Sequence, residues 1–158
     1  MENLQEKSRM DDMIKEAKQK ALSLLNYMDR TESQLRQKLR EKSFDDNAID
    51  KAVDYVKSFG YINDAGYAER YILSKQGSKS KREIYASLTQ KGINREDIEI
   101  AMENCYKAED ELVAIQRLCE KKHFVAEEAT DAEKNRMYNY LLRKGFKVDD
   151  VCKIIKVQ

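Results

Sequence analysis

The chain has 158 residues, with 30 Lys plus Arg against 29 Asp plus Glu, no Pro, no Trp and only five Gly. A β-sandwich or barrel needs a turn residue about every 8 to 12 positions, and this composition cannot supply them, so an all-β fold is excluded. A net charge of +1 removes self-repulsion as a cause of disorder, while Leu, Ile, Val and Phe stand just above the ~20% needed for a core, so a folded but thin core is expected. No apolar run approaches the ~18 residues of a membrane span, and the first residues hold no signal-peptide core. The sequence reads as a soluble, cytosolic protein without a membrane partner.

Residues 1–13 read as a polar N-terminal extension. From there the chain repeats itself. Around Leu39 it runs L-R-E-K-S-F, around Leu88 L-T-Q-K-G-I, and around Leu141 L-L-R-K-G-F, at offsets of 49 and 53 residues. Four residues before each Leu stands Leu35, Ile84 or Met137. After it come Ile49, Ile98 or Val151, and one helical turn later Ala52-Val53, Ala101-Met102 or Ile154-Ile155. Self-similarity at this period marks a helical repeat.

Start and stop chemistry divides each repeat into three helices. The first helices show a 3.6-residue apolar stripe: Ile14, Ala17, Ala21, Leu24, Leu25 and Met28; then Tyr67, Tyr71 and Ile72; then Leu112, Ile115, Leu118 and Cys119. Capping-box patterns open the middle helices, at Thr31-x-x-Gln34, Ser80-x-x-Glu83 and Thr130-x-x-Glu133. Ser43, Gly92 and Gly145 stand where a left-handed residue would end them. Asp45 and Asn94 cap the third helices, while Lys147 at the last equivalent place is a poor cap. The predicted fold is all-α: three tandem three-helix repeats at 14–60, 61–106 and 107–158, forming an elongated, curved array, since a unit this small buries its apolar face only against neighbours.

Catalysis is not expected. The three cysteines, Cys105, Cys119 and Cys152, form no C-x-x-C pair, and an odd count argues against a disulfide framework or a closed zinc site. His123 stands alone between Lys122 and Phe124, away from any nucleophile motif. Gly77-Ser78-Lys79-Ser80 resembles the end of a P-loop, but Leu73 stands near where the first glycine belongs and the segment follows a helix instead of a strand. No cofactor and no metal are expected.

Charge is the informative feature that remains. Arg70, Lys75, Lys79, Lys81 and Arg82 follow one another without an acid between them. Arg36, Lys38 and Arg40 form a second basic run, whereas residues 95–111 are acidic. Such patches suit a phosphate backbone or an acidic protein surface, or are ordinary solvated helix faces. Tyr61, Tyr67, Tyr71 and Tyr85 near the longer patch suit base stacking, and suit core packing with the hydroxyl at the rim better.

Three strings together carry a family resemblance: Thr31-Glu32-Ser33-Gln34-Leu35-Arg36-Gln37-Lys38-Leu39; Gly60-Tyr61-Ile62-Asn63-Asp64 with Tyr67-Ala68; and Gly77-Ser78 leading to Arg82-x-Ile84 and Leu88-x-x-Lys91-Gly92-Ile93. They resemble the RecX family of recombination regulators, strongly over residues 20–105 and through the repeat pattern beyond. The resemblance implies a bacterial cytosolic protein that lies along RecA filaments on DNA and restrains their ATP hydrolysis and strand exchange; the repeat architecture suggests a monomer. Contact candidates are then Arg36, Lys38, Arg40, Arg70, Lys75, Lys79, Lys81 and Arg82, facing RecA or single- or double-stranded DNA. The near-neutral net charge speaks against tight autonomous DNA binding, although a sequence-independent DNA-binding module acting alone, or a helical scaffold for another protein, fits the residues too. Small-angle scattering should return a radius of gyration clearly above about 15 Å, the value for a compact globule of this length; a value at or below it would remove the array reading.

Overall fold

Helices begin and end where the cap chemistry places them. A computed structural model describes residues 2–157, and within these it shows nine helices and no strand: α1 (Glu2–Tyr27), α2 (Glu32–Glu41), α3 (Asp46–Ser58), α4 (Asp64–Lys75), α5 (Lys81–Gln90), α6 (Arg95–Cys105), α7 (Ala108–Lys121), α8 (Asp131–Arg143) and α9 (Val148–Ile155). Thr31 and Thr130 form full capping boxes with Gln34 and Glu133. Asp45 and Asn94 accept from the Ala48 and Asp97 amides, and Lys147 caps α9 without a side-chain bond. Ser43, Gly92 and Gly145 adopt φ of 67°, 85° and 92°, so the left-handed stop recurs in every repeat. Helix α8 has 13 residues where α2 and α5 have 10, and this near-full turn accounts for most of the step from the first offset to the second. Helix α1 runs back to Glu2, and its residues 3–13 are exposed, so the polar extension is helical.

By its packing the chain divides into two compact units, one ending at Tyr67 and including Lys91–Ile93, the other made of Ala68–Gln90 and the residues from Asn94 onward. In the first unit α1 packs mainly on α3. Ala17 and Ala21 are fully buried and let the two helices approach closely over Leu35, Leu39, Ile49, Ala52, Val53 and Val56. Ile14, Leu24 and Leu25 close the edge. Met28 lies past the end of α1 and is 50% exposed, so the predicted stripe stops one position short of it.

In the second unit the repeat positions Ile84, Leu88, Ile98, Met102, Met137, Leu141, Val151 and Ile155 are all buried. Helix α4 contributes Ala68 and Ile72; Tyr67 and Tyr71, expected to carry that face, are only half-buried, because the smaller pair sits at the centre of the stripe. Helix α7 adds Ala114, Ile115 and Cys119 to a cluster with α8 and α9.

One joint occurs twice. The hydroxyl of Thr31, which caps α2, donates to the Lys91 carbonyl at 2.6 Å, and the hydroxyl of Ser80, at the head of α5, donates to the Lys144 carbonyl at 2.6 Å. Both side chains are fully buried. Beside each bond the next residue is a glycine pressed against the capped helix: a Cβ on Gly92 would stand 2.3 Å from the Ser33 Cβ, and one on Gly145 would stand 3.0 Å from the Arg82 Cβ. The L-x-x-K-G string is therefore a docking element as well as a helix stop.

Leu39→Ala, Leu88→Ala and Leu141→Ala should each cost on the order of 2 to 5 kcal/mol, because each leaves a cavity in a sealed site. Gly92→Ala should cost more than Gly60→Ala. Both positions have positive φ, worth roughly 1 to 3 kcal/mol of strain to a side chain, but a Cβ on Gly60 meets nothing within 4 Å. Denaturant midpoints that rank the two glycine variants equally would refute the close-docking reading.

Candidate binding surface

The stretch 75–82, from the end of α4 to the first turn of α5, carries four of the five cations of the longer basic patch, and its backbone is held from several sides. The Arg117 guanidinium donates to the Gly77 carbonyl at 3.2 Å, the Tyr106 hydroxyl donates to the Lys79 carbonyl at 3.0 Å, and Ser80 is tied to Lys144. The Lys81 amide, an orphan donor at the first turn of α5, donates to Glu111 Oε1 at 3.2 Å. Gly77 is buried, and a Cβ there would stand 2.9 Å from Arg117 Nη1. Lys75, Lys79, Lys81 and Arg82 therefore project from a stretch whose path is set by α7, by Tyr106 at the end of α6 and by Lys144 at the end of α8. Lys75 lies 5.8 Å from the Tyr71 ring centre, Lys79 is half-buried, and Lys81, Arg82 and Arg70 are exposed.

Arg117 joins this patch from 40 residues away, and neither charge runs nor repeats point to it. The acid that meets the patch is 30 residues away in sequence. Glu111 is buried, and burial first, then its shared bond with Asp150, pushes its carboxyl above the ordinary range, against the Lys81 amide that pulls it down. Burial also pushes the neighbouring Tyr106 hydroxyl well up, so it stays a proton donor to the Lys79 carbonyl.

The shorter run in the first unit is less available. Arg36 is half-buried and tied to Asp50 at 2.7 Å and Glu32 at 3.1 Å, and Glu32 also holds Lys57 at 2.8 Å. The bond to Asp50 leads in raising the Arg36 pKa, and the bond from Lys57 leads in lowering that of Glu32. Lys38 pairs with Glu41 at 3.5 Å, and Arg40 is exposed. Of the three, Arg36 is spent on an internal network and Arg40 is the most open.

Tyr67, Tyr71 and Tyr85 are half-buried. Tyr61 differs: it is 53% exposed and stacks on Phe59 with ring centres 5.6 Å apart. The three cysteines are free, and burial pushes the thiols of Cys105 and Cys119 up, away from the reactive thiolate. No described helix is long and apolar enough to cross a membrane.

Glu111 gives this surface a pH dependence whose sign is fixed. Its folded pKa lies above its unfolded value, so between the two the folded state binds more protons and stability falls as pH rises. Glu111→Gln keeps an acceptor for the Lys81 amide and removes the charge. Urea midpoints of this variant should lose that downward slope and exceed wild type at neutral pH; parallel curves would show that Glu111 is ionised at no net cost.

Three family profiles match the chain in order: RecX, first three-helix domain, over residues 17–55, the second over 63–102 and the third over 109–155. The Regulatory protein RecX of Caldanaerobacter subterraneus subsp. tengcongensis is 35% identical over 144 residues, spanning 90% of this chain and 71% of the relative. That of Clostridium beijerinckii is 31% identical over 141 residues, spanning 88% of this chain and 66% of the relative. The crystal structure of RecX from Lactobacillus salivarius superposes with a TM-score of 0.75 at 26% identity, over 92% of this chain and 96% of that one. A second crystal structure of regulatory protein RecX reaches a TM-score of 0.84 over 99% of this chain and 77% of that one, and at 24% identity it speaks for the fold. With all three of its helical repeats matched in sequence and in structure, the chain belongs to the RecX family of regulatory proteins.

Proposed function

We propose that this chain binds RecA filaments on DNA and restrains their ATP hydrolysis and strand exchange, acting stoichiometrically and with no chemistry of its own. The observation that carries the reading is the cationic segment Lys75, Lys79, Lys81 and Arg82, to which Arg117 adds a fifth charge, on a backbone pinned by Tyr106, Glu111 and Lys144. A segment already ordered before binding loses little further conformational freedom at an interface. Its charges suit an acidic protein groove or a phosphate backbone equally. The relatives' name, Regulatory protein RecX, supports a regulatory role over an enzymatic one.

Single exposed contacts of this kind are worth about 1 kcal/mol or less, so the test is collective. Lys79, Lys81 and Arg82 are reversed together to Glu, and RecA ATPase on single-stranded DNA is titrated with each protein. The variant should fold normally, because Lys, Arg and Glu have similar helix propensity and acids suit the first turn of α5. Its half-inhibiting concentration should rise more than tenfold, since like charges opposed at an interface cost several kcal/mol. Added salt should weaken wild type more than the variant. Undiminished inhibition by a well-folded variant would move the functional surface elsewhere, with Lys38 and Arg40 the next residues to reverse.

A further inference from the structure

The joint between capping hydroxyl and Lys carbonyl is made of two halves, and each end of the repeat series leaves one half over. At the first repeat the leftover half is the Lys42 carbonyl and Ser43, both residues exposed at the end of α2. At the third it is Thr130, which caps α8. Thr130 accepts from the Glu133 amide at 3.2 Å as Thr31 does from the Gln34 amide at 3.2 Å. Unlike Thr31 and Ser80 it is exposed, and among the described residues it donates to no carbonyl. The two leftover halves differ in net sign: the end of α2 holds Lys38, Arg40 and Lys42 against Glu41, and the start of α8 holds Asp131 and Glu133 against Lys134.

They match in backbone, with one difference. Ser43 has φ of 67°, close to Gly92 at 85° and Gly145 at 92°. In the filled joints a Cβ at this place would stand 2.3 Å from the Ser33 Cβ, or 3.0 Å from both the Arg82 Cβ and the Ser80 Oγ. Serine has that Cβ and a hydroxyl besides. It also sits in a conformation that glycine adopts without strain.

We propose that Ser43 is what keeps this chain from joining head to tail with a second copy, by denying the Lys42 carbonyl to that copy's Thr130. The contact it blocks is heterologous, so once opened each copy would still offer one free half to a further copy. This does not depend on the RecA reading.

Sedimentation velocity over a micromolar to millimolar concentration series tests it on three full-length proteins. Wild type should stay a monomer. Ser43→Gly relieves the backbone and should fold, and its average mass should rise with concentration and fall with added salt. In the double variant Ser43→Gly, Thr130→Asp the cap of α8 survives, because aspartate is as good an N-cap acceptor, but it has no proton to give a carbonyl, so this protein should return to monomer. A mixture of wild type, whose Thr130 half is open, with the double variant, whose Lys42 half is open, should form one-to-one pairs and nothing larger. Ser43→Gly that remains monomeric, wild type that associates as readily, or a double variant that still associates would each overturn the proposal.

Discussion

Two hydroxyl groups do double service in this protein, and the rest of the structure is arranged around them. Thr31 and Ser80 each accept a bond from the third residue of their own helix and donate one to a lysine carbonyl 60 or 64 residues away. Both are sealed from water, so neither oxygen has an alternative partner, and a missing bond would leave a buried carbonyl or amide to bear its full desolvation cost. A cap that is merely helpful on an isolated helix is here also the register mark of the tertiary structure. The glycines beside the lysines follow from it, since only a residue without Cβ lets the carbonyl come within 2.6 Å of the hydroxyl.

The same joint builds the surface that carries the proposed function. Ser80 fixes the start of α5, and once that point is set, Tyr106, Arg117 and Glu111 can reach the carbonyls and amide of 77–81. A run of four cations that would be mobile on a free loop is thereby displayed in one arrangement. The cost appears at Glu111, a buried carboxyl beside Asp150, whose burial is offset in part by the bond it accepts from the Lys81 amide.

Charge alone ranks the two basic runs alike, whereas geometry separates them. Arg36 reaches Asp50, 14 residues on, and a guanidinium held by two carboxylates has little net potential to offer a partner. Lys57 joins the same network through Glu32. Such exposed pairs add little stability, so their consequence here is electrostatic screening of the first unit's surface.

The sequence by itself determined the helices, because their limits are set by local chemistry: the capping hydroxyls of Thr31 and Thr130, the carboxylate of Asp45 and the carboxamide of Asn94, left-handed stops at Ser43, Gly92 and Gly145, and apolar positions repeating every turn. It also determined the family, since a G-Y-x-N-D string stands between units that repeat an L-x-x-K pattern. It could not show which of Tyr67, Ala68, Tyr71 and Ile72 forms the centre of the α4 stripe, because all four satisfy the helical period and only packing volume discriminates among them. Nor could it show that Thr31 answers to Lys91, that Arg117 stands beside Gly77, or that Glu111 meets Lys81. These pairings lie 30 to 60 residues apart, and a hydrogen bond at such separation leaves no periodic trace in the chain. Local rules write the elements; only the folded arrangement decides which donor finds which acceptor.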